Sequence, residues 1–357
     1  MKKKLTVFIG IIFCLSMLAG CGSKITPEQS YFDKSLAMMA WPGVTDTSTI
    51  DFSVELAEFP IPIDYSITMV SEQVSATMLA KATISAVSNS EFLPDIENLT
   101  LYVDGTKIYI ETAAVKNICE AFLGEVPAEL AAITQEYLMY DSGETAEMSM
   151  DDMSPAMAAF YQSMLDDPMA FSTEFGNKFF AAYPDFSIGL QQKGNQFTLK
   201  LNNGNIIAVA DKVILGMISN AKALVEIVPL TEEEKAEVNV MLADTAALKK
   251  QYEQQRDAFK PMIQAQLDAG TFSLEADTTM NDADYISKCI LTADYDMFGK
   301  ISMTINSKGA KASDIEIKAP TSFVDINSLS FIEDMMYSGY DDDYDYYDYD
   351  DYEYLYY

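Results

Sequence analysis

Ile50-Asp51-Phe52-Ser53-Val54-Glu55-Leu56 alternates apolar and polar side chains, and Ile63-Asp64-Tyr65-Ser66-Ile67-Thr68-Met69 repeats the pattern shortly after it. A period of two puts the apolar set on one face of an extended chain and the polar set on the other. The pattern continues outward. Met78, Ala80, Ala82, Ile84 and Ala86 oppose Lys81, Thr83 and Ser85, and Leu99, Leu101 and Val103 lead through Asp104-Gly105 into Ile108 and Ile110. Asp-Gly between alternating runs is a strong hairpin signal. Strands with one apolar and one wet face predict an antiparallel meander rather than a parallel α/β sheet.

The same period returns near the other end, at Phe272, Leu274 and Ala276, over 285–295, and at Ile301, Met303 and Ile305 against Lys300, Ser302 and Thr304. Ile315 and Ile317 are expected to close this second meander before Pro320. Between the meanders the chain reads as helical: from Pro127 to about Leu138, from Ser154-Pro155 with Met157, Phe160, Tyr161 and Met164 on the packing side, and over 168–182 up to Tyr183-Pro184. Asp141–Met153, acidic and rich in Met, reads as a loop. Strand signals at Phe186, Ile188 and Leu190 and at Phe197, Leu199 and Leu201 end in an Asn203-Gly204 turn, and a helix is expected from about Asp211 to Leu224.

Thr231-Glu232-Glu233-Glu234 is a capping box. It opens the longest predicted helix, with Val238, Leu242, Tyr252, Phe259, Ile263 and Leu267 as its apolar stripe and Gly270 as its stop. Pro261 should kink or split it, because the proline ring clashes with the preceding turn. Upstream, Thr26-Pro27-Glu28-Gln29 starts a helix to about Ala40, with Tyr31, Phe32, Leu36 and Met39 on its apolar side. The expected class is α+β: an antiparallel, curved sheet of one or two meanders, packed on one face by helices. Ile50, Phe52, Val54, Ile301 and Met303 should point inward.

The 357 residues carry 55 acids against 23 lysines and arginines, a net charge of -32, and no histidine. Such acidity repels nucleic acid and excludes it as a partner. Without histidine, neither serine–histidine nor cysteine–histidine catalysis can be built within the chain. Carboxylate chemistry stays open in principle, but no pair of acids is spaced so as to indicate it, and the expectation is a protein that is not an enzyme. Cys119 and Cys289 are far apart in sequence, so a disulfide and two buried thiols are both open, and no close-spaced pair points to zinc or redox chemistry.

The chain opens Met1-Lys2-Lys3-Lys4, continues apolar from Leu5 to Leu18, and reaches Leu18-Ala19-Gly20-Cys21. A basic start, a short apolar run and small residues before a cleavage point form an export signal, too short for a comfortable transmembrane helix. Leu18, Ala19, Gly20 and Cys21 resemble the lipobox of bacterial lipoproteins. The resemblance implies signal peptidase II recognition of Leu18, Ala19 and Gly20, cleavage before Cys21, and a diacylglyceryl group on the Cys21 thiol. It places the protein at the cell membrane, lipid-anchored on the extracytoplasmic face. Losing residues 1–20 removes Lys2, Lys3 and Lys4, which takes the charge of -32 three units lower, to -35.

The organisation expected is thus a signal over 1–20, a lipidated N-terminus with a short helix over 21–44, and a meander-and-helix domain over 45–325. That domain admits two similar halves split near 140–185. An acidic tyrosine-rich tail follows over 326–357, in which 341–357 alternate acids with tyrosines. Repulsion between like charges keeps such a segment extended and solvated. Its carboxylates suit weak divalent-cation binding, and no other cofactor is indicated.

Asp294-Tyr295-Asp296-Met297-Phe298-Gly299 begins like a calcium loop. It reads instead as a turn between strands, since Phe298 and Ile305 stand where oxygen ligands belong. Asp151-Asp152 and Asp166-Asp167 read as solvated loop or helix-end charges. Met148, Met150, Met153, Met157, Met164 and Met169 cluster in the middle segment, where thioethers fill cores or line adaptable apolar surfaces.

Half-buried antiparallel strands, intervening helices and a lipid anchor together resemble the lipoprotein-carrier family of LolA-like and LppX-like proteins, over about residues 45–320. There a curved sheet wraps helices and the cavity between them takes acyl chains. The resemblance implies an apolar ligand held between sheet and helices. The alternative is a structural or interaction lipoprotein of the envelope with a filled core. A transporter's solute-binding lipoprotein ranks third, because such proteins carry repeated βαβ units.

Overall fold

Antiparallel strands run through the centre of the molecule in two consecutive series that meet edge to edge. The computed structural model describes residues 25–57, 59–75, 77, 79–89, 95–141, 154–295 and 299–329. The lipobox residues, Met78, Met148, Met150, Met153, Asp151-Asp152, Asp296 to Phe298 and the tail 341–357 lie outside the described residues.

The first series is β1 (Gly43–Leu56), β2 (Phe59–Val74), β3 (Leu79–Ser88), β4 (Ile96–Asp104), β5 (Lys107–Glu111) and β6 (Tyr137–Asp141). The second is β7 (Gln191–Lys193), β8 (Gln196–Asn202), β9 (Gly270–Met280), β10 (Asp284–Tyr295) and β11 (Gly299–Lys311). A short β12 (Phe323–Asp325) completes a twelve-stranded sheet in the order β12-β6-β5-β4-β3-β2-β1-β11-β10-β9-β8-β7. Every pairing is antiparallel except that of β12 with β6. The two series join where β1 pairs with β11, Phe52 across from Met303. Gly105 turns the β4–β5 hairpin with φ of +60°, a conformation that favours glycine.

Helices lie on one face of this sheet, here the helix face. At one end, α1 (Pro27–Met39), α4 (Pro155–Asp166), α5 (Pro168–Ala182), α6 (Ile206–Val225), α7 (Glu232–Met241) and α8 (Thr245–Asp268) gather near β8 and β9. Phe32 of α1 packs with Phe179, Phe180 and Tyr183 of the α5 region. Burying each of these rings stabilises the fold by about 1.5–3 kcal/mol. Tyr31 meets Phe197 of β8 edge to face at 5.3 Å. At the other end α2 (Thr112–Leu123) and α3 (Ala128–Ala132) bring Cys119 and Leu130 onto Leu138 of β6, with Ile133 and Leu329. Leu329 and Ile326 pack into that cluster, so folded structure reaches past the expected boundary at 326.

The predicted caps are present. Thr26 accepts from Gln29 N, Ser154 from Met157 N, and Thr231 and Glu234 cap each other reciprocally. Asp167 caps α5 through Ala170 N, a helix-end role as expected. Asn203, in its turn, donates to the Gly270 carbonyl and accepts from Phe272 N, tying β8 to the start of β9.

Five local expectations are corrected. Phe186, Ile188 and Leu190 form no strand, because the Ile188 and Leu190 amides donate to the Glu28 carboxylate at 2.9 and 3.2 Å instead of to a neighbouring strand. The helix expected up to Leu138 stops at Ala132, and Tyr137–Asp141 is pulled into the sheet beside β5. The α6 helix starts at Ile206, not Asp211, since its apolar first turn follows the Asn203-Gly204 turn directly. The long helix breaks at Leu242–Asp244, where Asp244 caps Ala247 N and starts α8, and not at Pro261, which sits within α8. Residues 257–263 are all exposed, so water can reach the carbonyl that Pro261 leaves unpaired. Ile315 and Ile317 lie outside any strand, and the chain runs on to pair as β12 with β6 at the far edge of the first series.

Candidate functional site

The expected inward residues do share one face, but the centre of that face is not covered. Pairing sets three cross-strand rows over β10, β11, β1 and β2. They are Cys289–Ile305–Ile50–Ile67, Leu291–Met303–Phe52–Tyr65 and Ala293–Ile301–Val54–Ile63. Asp51, Ser53 and Ser302 alternate onto the opposite face, as the sequence period requires. At strand spacings of about 4.8 Å and a rise of about 3.3 Å per residue, the rows make a strip roughly 14 Å by 13 Å.

In this strip Phe52 is 37% exposed and Ile301 39%, and Leu56 beyond its end is 47% exposed. The expectation that Phe52 and Ile301 point into a core is therefore corrected. The two helix groups sit over the ends of the sheet and leave its middle open. Helix α8 presents further uncovered apolar side chains, Phe259, Met262 and Ile263, at helical spacing.

One end of the strip turns polar on the same face. Ser48, buried beneath this region, donates to Asp46 Oδ1 at 2.6 Å and lies 2.8 Å from Ser307 Oγ. The Tyr285 phenol donates to Asp46 Oδ2. Burial, the bond to Asp46 and the charge of Asp46 all push the Tyr285 phenol well above its ordinary value. Burial also raises Tyr31, an effect its bond with Thr278 partly offsets. The strip thus has an apolar floor and a fixed row of hydroxyls at one end, an arrangement suited to an apolar chain with a polar terminus.

Cys289 is a free thiol on the floor of the strip, while Cys119 is free and buried in the cluster of α2 and α3. Burial holds both thiols above their usual range. Arg256, the one arginine, bonds Asp257 at 2.8 Å and lies 3.6 Å from Asp211. Tyr252 donates to Asp211 at 2.7 Å, so this group staples α8 to α6. Among the described residues, no group of three or more acids or cysteines is arranged to hold a metal ion, and no helix is long and apolar enough to cross a membrane.

Two hollows bear on ligand capacity. One, of about 130 Å³, lies between α4 and α5 among Phe160, Phe171, Phe175 and Ile227, below the usual size of a ligand pocket. Met157, Met164 and Met169 lie on α4 and α5, with Met169 exposed. The other hollow, of about 400 Å³, is on the face opposite the strip. The polar row at Asp46, Ser48 and Tyr285 was not foreseen in the sequence, where nothing marks partners 239 residues apart.

Comparison of the chain with models of protein families, with curated proteins and with solved structures found no match.

Proposed function

We propose that this is a lipid-anchored, non-catalytic lipoprotein of the cell envelope that holds an apolar ligand, an acyl chain or a molecule of that kind, along the strip on the helix face. The observation that carries the reading is the exposure of Phe52 and Ile301 at the centre of a continuous apolar face whose two ends are buried. A monomer gains nothing by leaving aromatic and branched side chains uncovered in adjoining positions, and such patches are commonly interaction sites. Anchoring rests on Leu18-Ala19-Gly20-Cys21 preceded by a basic, then apolar, segment. Absence of histidine throughout the chain supports the non-catalytic reading.

A second reading is an interaction lipoprotein whose partner protein covers the same strip. It is favoured by Phe52 and Ile301 lying exposed side by side in the strip rather than beneath a helix. Organic extraction of the purified protein followed by mass spectrometry separates the two. Co-purified lipid, reduced at least tenfold in a Phe52→Ser, Ile301→Ser double variant, is the result expected. No extractable lipid, with no uptake of a fluorescent fatty acid, overturns ligand binding. Cys21→Ala should leave an unprocessed precursor or a released form, and a variant that stays membrane-bound through detergent partitioning overturns the anchor.

A further inference from the structure

The face opposite the strip carries a site of different chemistry. The 400 Å³ hollow there falls within the size range of small-molecule sites. Its floor is the β1–β2–β3 backbone, whose amides and carbonyls are already spent on strand pairing. A ligand must therefore bond to side chains. Those on offer are hydroxyls, one carboxamide and two carboxylates, with Val87 as an apolar wall; Phe52 and Tyr65 also line the hollow, from positions that alternate toward the strip face.

The polar groups are held in place. Asp51 Oδ1 accepts from Ser66 Oγ at 2.7 Å. Asn89 donates to Asp64 Oδ2 at 2.7 Å and accepts from Asp64 N at 2.8 Å. A carboxylate has about four lone-pair sites, so each aspartate keeps acceptor capacity for a ligand hydroxyl. No lysine or arginine lines the hollow, which disfavours an anionic ligand.

The polar surface also runs on beyond the hollow. Thr304–Asp51–Ser66 is one cross-strand row, and Asn306–Thr49–Thr68–Ser85 is the next. Over these four strands the second row carries no charge and is built from hydroxyls and an amide that can both donate and accept, with Lys288 following Asn306 on β10. We infer that this face binds a neutral oligosaccharide: vicinal hydroxyls of one sugar unit donate to Asp51 and Asp64, its C–H face rests on Val87, and further units follow the hydroxyl rows.

The test is titration of the purified protein with neutral trisaccharides of glucose and of N-acetylglucosamine, followed by NMR or calorimetry. Binding by one of them at a Kd on the order of 1 mM or tighter is expected. Asp51→Ala and Asp64→Ala should each weaken it about tenfold, and both sites are exposed, so folding should survive. Val87→Glu should abolish it by filling the hollow. Ile301→Ser, in the strip and outside the lining of the hollow, should leave it unchanged, which separates this site from the lipid strip. No binding by any trisaccharide, binding indifferent to all three hollow variants, or calcium binding at these aspartates without sugar binding would each overturn the inference.

Discussion

Tyr285 on β10 reaches Asp46 on β1 by lying across Gly309 of the strand between them. The three residues stand in one row of the sheet, and a Cβ at Gly309 would come within 2.2 Å of the Tyr285 ring. The close approach requires glycine, and the bond clamps the two strand series together next to the apolar strip. Tyr285→Phe should cost about 1–2 kcal/mol, near the low end for a bond to a charged group because the site is only partly buried. Gly309→Ala should cost at least as much, since the ring must move. A Gly309→Ala protein that melts like wild type would show that the ring does not lie there.

Alkaline pH should weaken the fold through the same kind of contact. Tyr252 is pushed up to about 12 by burial and by its bond to Asp211, and Tyr285 is raised as well. An unfolded tyrosine titrates near 10. The folded state therefore holds these protons over a range where the unfolded state has lost them. Their contribution is fully present below about pH 10 and falls away as pH rises through the folded values. Melting at pH 9 and pH 11 should show a larger drop for wild type than for a Tyr252→Phe, Tyr285→Phe variant. Equal drops would remove both tyrosines from the pH response.

Two phenylalanines on the same face should lose different amounts of stability on truncation. Phe197 is 1% exposed beneath Tyr31, so Phe197→Ala should cost about 3–5 kcal/mol. Phe52, on the open strip, should cost clearly less, near the common value of about 1 kcal/mol for point changes. Denaturant midpoints at a constant slope would measure both. A Phe52 loss as large as that of Phe197 would mean that the strip is covered in solution.

The elements that were legible in the sequence are those whose cause is local. Period two from Ile50 to Met69, the Asp104-Gly105 turn, the Thr231–Glu234 box and the caps at Thr26 and Ser154 each state their structure within a few residues. Misread stretches depend on distant partners. Ile188 and Leu190 alternate like a strand, yet their amides are taken by Glu28, 160 and 162 residues away. Tyr137 and Leu138 read as the end of a helix, and Asp141 as the start of a loop, until β5 supplies their pairing. Alternation placed Phe52 and Ile301 on the correct face of the sheet but could not say how far the helices extend over it. That distance depends on where α2, α3 and the α5–α8 group dock, and no residue near Phe52 encodes it. The hydroxyl rows opposite were written in the same alternation, as the polar half of each strand, and only pairing assembled them into a surface.

Glu28 offers the sharpest test of long-range tethering. It is 6% exposed in the first turn of α1, its Oε1 accepts from the Ile188 and Leu190 amides, and among the described residues its Oε2 is buried without a partner. Glu28→Ala strands both amides away from an acceptor, and each buried unsatisfied group costs about 1–3 kcal/mol. Glu28→Gln keeps one carbonyl oxygen as an acceptor and places an amide donor where Oε2 has none, so its loss should be smaller than that of the alanine variant. Because α1 packs on α5 through Phe32, the damage from alanine should spread to that aromatic cluster. Hydrogen exchange should quicken at Ile188 and Leu190 first and then along α1, while β1 and β2 keep their protection. If alanine and glutamine behave alike and neither amide exchanges faster, the 186–190 segment is held by something other than Glu28.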